Sequence, residues 1–134
     1  MKNIEHIGIA VKDLNASCDL YEKLLGTSCY KTEIVESEAV NTAFFRTGEH
    51  KIELLSATSE SSPVARFLEK KGEGIHHIAF NVDNILEEME RLKMEGFILL
   101  NEIPKPGADN KLVCFVHPKG TGGVLVELCQ DIRS

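Results

Sequence analysis

His6 and Glu53, then His77 and Glu127, repeat one order of side chains along 134 residues, the histidines 71 positions apart and the glutamates 74. Two imidazoles and two carboxylates make a mixed nitrogen and oxygen donor set. Such a set suits one divalent ion of zinc, nickel, cobalt, manganese or iron, with one or two coordination positions left for water or substrate. Donor softness does not choose among those metals. Glu53 lies in Lys51-Ile52-Glu53-Leu54-Leu55 and Glu127 in Leu125-Val126-Glu127-Leu128-Cys129. Each carboxylate is thus flanked by aliphatic residues, where an isolated charge is costly unless it is paired or bound to a metal. Taken singly, any of the four reads as a satisfied or exposed strand residue. Repeated together in one order, they read as a site.

The elements that must position them are also written twice. Ile4-Glu5-His6-Ile7-Gly8-Ile9-Ala10-Val11 is echoed by Ile75-His76-His77-Ile78-Ala79-Phe80-Asn81-Val82, with the two histidines in register. Strand side chains alternate between faces, so His6 shares a face with Gly8 and Ala10, and His77 with Ala79 and Asn81. Those faces are small and leave room for an ion and a ligand. The bulky faces, Ile7, Ile9 and Val11 in one copy and Ile78, Phe80 and Val82 in the other, are the natural seats for a helix. Adjacent residues of a strand face opposite ways, so His76 and His77 cannot serve the same ion. His77 is the ligand by register, and His76 is left to packing or to a supporting role.

Asp13 stands at a helix N-cap ahead of Leu14, Cys18, Tyr21, Leu24 and Leu25 at helical spacing, and Gly26 ends that helix. Strand patterns follow at Ser28 to Glu36, Ala39 to Thr47 and Lys51 to Ala57, the last two joined by Gly48-Glu49. Ser62-Pro63 opens a linking helix over Val64 to Lys71, which Gly72 and Gly74 stop. The second copy predicts a strand over Ile75 to Val82 and a helix capped by Asp83 and ended by Gly96. Further strands are predicted at Phe97 to Glu102, Leu112 to His117 and Val124 to Cys129. Pro104 to Asp109 is too rich in proline for a sheet interior. The duplication predicts two supersecondary units packed together, not a solenoid.

Apolar residues make up 43% and charged residues 27% of the chain, ordinary values for a folded domain. A net charge of -6 disfavours a general nucleic-acid binder, which needs a basic face. No apolar span is long enough to cross a membrane and no signal-peptide pattern opens the chain, so the expectation is a cytoplasmic protein without membrane or nucleic-acid partners. Cys18, Cys29, Cys114 and Cys129 lack metal-knuckle spacing and read as small buried hydrophobes in a reducing compartment. His50 reads as a surface residue.

At this point the chain resembles the vicinal oxygen chelate superfamily, the paired βαβββ proteins that include glyoxalase I, ring-cleavage dioxygenases and methylmalonyl-CoA epimerase. The resemblance covers nearly the whole sequence. It is most specific at Gly72-Glu73-Gly74-Ile75-His76-His77-Ile78-Ala79-Phe80 and at the segment from His117-Pro118-Lys119-Gly120 to Val126-Glu127-Leu128, which are similar to the epimerase branch. It implies an α+β fold in which two pseudo-symmetric βαβββ modules form a curved, partly open mixed sheet around a metal site, with helices outside. It further implies a single domain over residues 1–134, with module one at about 1–57, a linker at about 58–73 and module two at about 74–134.

The resemblance also implies that His6, Glu53, His77 and Glu127 hold one divalent metal, and that the substrate is an acyl-CoA, methylmalonyl-CoA, whose α-hydrogen lies between a thioester and a carboxylate. Glu127 would be both ligand and base. Some epimerases carry a separate glutamate on the strand preceding the position of Glu53. Here that strand, Ala39-Val40-Asn41-Thr42-Ala43-Phe44-Phe45, has Thr42 near the expected place, so Glu53 is the candidate for the second proton-transfer group. A glyoxalase I acting on a glutathione hemithioacetal is the alternative, and a non-enzymatic small-molecule binder is the rival of another class. A fourth protein ligand argues against a dioxygenase. Lys105 and Lys119 are candidates for contacts to CoA phosphates, although exposed loop lysines are usually solvated. A homodimer is the oligomeric state the resemblance suggests.

Overall fold

Two helix starts show how closely local chemistry sets this fold. The Asp13 side chain accepts from the Ala16 N–H at 3.1 Å, and the buried Ser62 hydroxyl accepts from the Val64 N–H at 3.2 Å, each satisfying an amide that the first helical turn cannot. In the computed structural model, which describes residues 1–132, strand β1 (Ile4–Ala10) leads into helix α1 (Leu14–Leu25) and then β2 (Lys31–Val35), β3 (Val40–Thr47) and β4 (His50–Ala57). Helix α2 (Pro63–Lys71) precedes β5 (Gly74–Asn81), α3 (Ile85–Met94), β6 (Lys105–Gly107), β7 (Lys111–Val116) and β8 (Val126–Asp131). The fold is α+β, built from the βαβββ plan twice over. The chain packs as two compact units, one of His6–His76 and one of Met1–Glu5 with the residues from His77 onward.

In the unit of His6–His76 the strand order is β2-β3-β4-β1, with β1 parallel to β4 and the other pairs antiparallel. Helix α1 lies on one face. Its Leu14, Cys18, Tyr21 and Leu25 pack with Val11, Ala43, Phe45 and Leu54, the last two fully buried. Burying a side chain of that size stabilises by roughly 1.5–3 kcal/mol relative to exposure. On the opposite face Ala10, Val40 and Leu55 pack with Val64, Phe67 and Leu68 of α2. Gly26 ends α1 at φ 69°, the left-handed turn that lets its N–H donate back to the Glu22 carbonyl.

In the other unit the order is β5-β8-β7-β6, again with one parallel pair, β5 and β8. Ile85, Met89 and Leu92 of α3 pack on Val82, Cys114, Val116 and Leu128. Residues at the start of the chain run beside β5. The Lys2 N–H donates to the Asn81 carbonyl at 2.9 Å, and the Asn81 N–H to the Asn3 carbonyl at 2.8 Å.

Three local expectations give way. Asn84, not Asp83, caps α3 by accepting from the Glu87 N–H at 3.1 Å, while Asp83 pairs with Lys2 at 2.9 Å. Either residue suits a cap. Phe97 to Glu102 is not a strand. It touches β7 through the bridge Leu99 to Val116, and the Asn101 side chain takes the Phe115 N–H at 3.1 Å in place of a backbone partner. Pro106, expected in a loop, sits in β6, and β6 is an edge strand, where a residue without an N–H is tolerated.

Candidate metal centre

Register brings each histidine to its glutamate. In the parallel pair of β1 and β4, Gly8 is the partner of Glu53, and His6 stands two residues before Gly8 on the same face. In the parallel pair of β5 and β8, Ala79 is the partner of Glu127, and His77 stands two residues before Ala79. The same diagonal is thus built twice, each time over a residue too small to cover the carboxylate. His6 Nδ1 lies 3.0 Å from Glu53 Oε2, and His77 Nε2 lies 3.2 Å from Glu127 Oε1.

All four side chains are buried, at 5% and 4% exposure in the first pair and 5% and 7% in the second. Charged or metal-ligating groups this deep require partners. Each pair offers an imidazole nitrogen beside a carboxylate oxygen, the kind of donors that a first-row transition ion takes. A magnesium or calcium site would be richer in oxygen. The donors therefore fit the ion that the sequence implies.

Aromatic rings complete both pairs. Phe44 lies across the antiparallel ladder from Glu53, and Phe115 from Glu127. The Phe115 ring meets His77 edge-on, with centroids 5.7 Å apart. The sequence reading missed both rings. Their signal was the antiparallel pairing of β3 with β4 and of β7 with β8, which puts a β3 or β7 residue of like face opposite each glutamate. It also passed over Glu38, which ends the one-turn 3-10 helix Glu36–Glu38 ahead of β3 with its Oε1 buried, and Glu33, which pairs with Thr42 across β2 and β3.

The remaining candidates fall outside the pairs. Thr42 is fully buried on the same face as Glu53 but carries no carboxylate. His76 points the other way, edge-on to Phe67 at 5.1 Å, as alternation requires. His117 accepts the Lys119 N–H on its Nδ1 at 2.9 Å, starting the turn Pro118–Gly120, and Lys119 is exposed. Lys105 stands opposite Val113 in the edge strand. His50 is exposed at the start of β4. None of the four candidate ligands lines the open pocket of about 800 Å³ beside Lys2, Asp83, Lys111 and Asp131, whose charges meet one another.

The cysteines carry free thiols. Burial and the neighbouring Cys29 push the Cys18 thiol up to about 11, and burial pushes Cys114 up as well, which suits packing rather than reactivity. No helix among the described residues is long and apolar enough to cross a membrane.

Comparison with known proteins identifies the family. Residues 5–115 match the family model of the glyoxalase/bleomycin resistance protein/dioxygenase superfamily. The chain is 42% identical over 129 residues to an ethylmalonyl-CoA/methylmalonyl-CoA epimerase of Cereibacter sphaeroides, covering 95% of this chain and 96% of that one. It superposes on the crystal structure of methylmalonyl-CoA epimerase from Mycobacterium tuberculosis with a TM-score of 0.93 at 33% identity, covering 98% and 89% of the two chains. A methylmalonyl-CoA epimerase solved with methylmalonyl-CoA and NH4+ gives 0.91 at 34% identity, covering 98% and 95%. A lactoylglutathione lyase of Escherichia coli O157:H7 is more distant, at 25% identity over 126 residues, covering 94% and 90%.

Proposed function

Because the chain belongs to the glyoxalase/bleomycin resistance protein/dioxygenase superfamily, we propose that it is a metal-dependent epimerase interconverting the (R) and (S) forms of methylmalonyl-CoA. The observation that carries the proposal is the twice-built diagonal of a buried histidine and a buried glutamate. The identities to epimerases support the substrate, and they exceed that to the lyase.

In this reading residues 1–134 act as one domain, and His6, Glu53, His77 and Glu127 together hold one divalent ion. The ion, when bound, supplies Lewis-acid polarisation of the substrate oxygens and so acidifies the carbon between them. The protein moves the proton. Glu127, as carboxylate, removes the α-hydrogen, and Glu53, as carboxylic acid, returns one to the opposite side of the carbon. One turnover leaves the two carboxyls with exchanged protonation states, so solvent hydrogen enters the product. Phe44 and Phe115 keep water from one flank of each carboxylate, and the small Gly8 and Ala79 leave the other flank open.

The test is proton NMR in deuterium oxide with the metal-loaded protein, on methylmalonyl-CoA and separately on methylglyoxal with glutathione. The α-hydrogen of methylmalonyl-CoA is expected to exchange while the hemithioacetal persists. Conversion of the hemithioacetal with no exchange on the CoA ester assigns the lyase reaction instead. Activity on neither, without metal uptake, assigns a binding protein.

A further inference from the structure

The two half-sites differ in what surrounds their aromatic ring. Phe115 meets an imidazole, whereas Phe44 lies among cations. The Lys31 ammonium is 4.6 Å from the centre of the Phe44 ring and the Lys51 ammonium 5.8 Å. Tyr30 packs on Phe44 with centroids 6.0 Å apart, and the Arg46 guanidinium lies over the Tyr30 ring at 5.0 Å. Lys31 also meets Glu33 at 3.6 Å. Among the described residues no carboxylate meets Arg46, although the chain as a whole carries a net charge of -6. Tyr30 is 44% exposed and Arg46 is exposed, so this end of the cluster faces solvent.

Rings interleaved with guanidinium and ammonium groups recognise a ligand that joins a planar base to phosphates, the rings taking the base and the cations the oxygens. The cluster also stands at a suitable remove from the chemistry. Arg46 and Phe44 alternate onto the face of β3 that carries Thr42, Phe44 pairs with Glu53, and Lys31 pairs with Phe44. Two strand spacings separate Lys31 from Glu53, about 10 Å. A CoA thioester has this layout, with a long arm between its reacting acyl group and its nucleotide.

We infer that Tyr30, Lys31 and Arg46 form the subsite for the phosphorylated nucleotide of the acyl-CoA. This rests on the CoA thioester reading of the substrate. Arg46 takes phosphate oxygens, Lys31 adds charge, and the solvent-exposed edge of Tyr30 packs against the base.

The experiment compares methylmalonyl-CoA with methylmalonyl-pantetheine, which lacks the nucleotide, and measures binding of adenosine 3′,5′-bisphosphate by calorimetry. In Arg46→Ala the ratio of kcat/KM for the CoA ester to that for the pantetheine ester falls about ten-fold, the size of one charge-assisted hydrogen bond. Bisphosphate binding weakens to match, and Arg46→Lys restores most of both. Tyr30→Ala lowers the same ratio. An unchanged ratio with unchanged bisphosphate binding overturns the inference, as does an equal loss on both esters. If neither ester is turned over by the wild-type protein yet the bisphosphate binds and Arg46→Ala weakens it, the reaction assigned above fails and the subsite stands.

Discussion

Phe44 lies directly across the antiparallel ladder from Glu53, just as Phe115 lies across from Glu127. Directly opposed residues bring their side chains within about 4.5–5.5 Å, so each ring lies against the flank of its carboxylate. In the second pair the ring edge also abuts His77 at 5.7 Å. Phe115→Ala removes that support from an imidazole that must hold its orientation. Metal affinity is expected to fall about ten-fold, the lower end of what losing an outer neighbour of a ligand costs. A chelator-competition titration measures it.

The two carboxylates are expected to fail differently from their neighbours. Glu127→Gln and Glu53→Gln keep size and hydrogen-bonding shape but cannot carry a proton. Each should lower the rate of (R) to (S) conversion by roughly 10²–10⁴-fold. Thr42→Val, on the same face but without an ionisable group, should stay within about ten-fold of wild type on the same scale. A coupled assay of both directions measures all three. Full activity in Glu53→Gln would remove Glu53 from the proton path.

The edge strand β6 is fixed by a close approach. A Cβ added at Gly107 would lie 2.9 Å from Val113 Cγ1 and 3.1 Å from its Cγ2, and Val113 is both buried and stiff at χ1. Gly107→Ala is therefore expected to destabilise the protein by about 1–3 kcal/mol, as overpacking does. Urea denaturation measures it, and pairing the change with Val113→Ala, which vacates the space, should recover part of the loss from overpacking.

Glu88 gives a pH signature away from the site. Burial works to raise its carboxyl, but the hydrogen bond from Arg91, together with the charges of Arg91 and the terminal ammonium, outweighs that and holds it below the ordinary value of 4.5. A depressed value in the folded protein means that the stabilisation is present above the unfolded pKa and is lost as pH falls through the folded one. Glu88→Gln should be less stable than wild type at pH 7 by up to about 1 kcal/mol, a partly exposed pair being screened. The difference should close as pH drops below about 4.5, which denaturation across pH 2 to 7 measures.

What the sequence disclosed follows from periodicity. The alternation around His6 and His77 told which side chains share a face, and the parallel registers of Gly8 with Glu53 and Ala79 with Glu127 then produced the two pairs. Caps at Asp13 and Ser62 were equally local and equally readable. Features that depend on which strands neighbour each other were not. Phe44 and Phe115 look like ordinary core positions until β3 and β7 are paired, and Tyr30 and Arg46 are sixteen positions apart before β2 folds onto β3. The Phe97 to Glu102 run has strand-like residues, yet the Asn101 side chain supplies the contact that a ladder would have made. Competition between a side-chain amide and a backbone partner is not visible in a pattern of apolar residues.

The central claim is that two copied halves serve one ion, and metal stoichiometry tests it most directly. The wild-type protein, stripped and reloaded with zinc or cobalt, is expected to bind one ion per chain, and His6→Ala and His77→Ala should each weaken that same ion strongly. Two ions per chain in the wild type, with either substitution abolishing one and sparing the other, would contradict the claim.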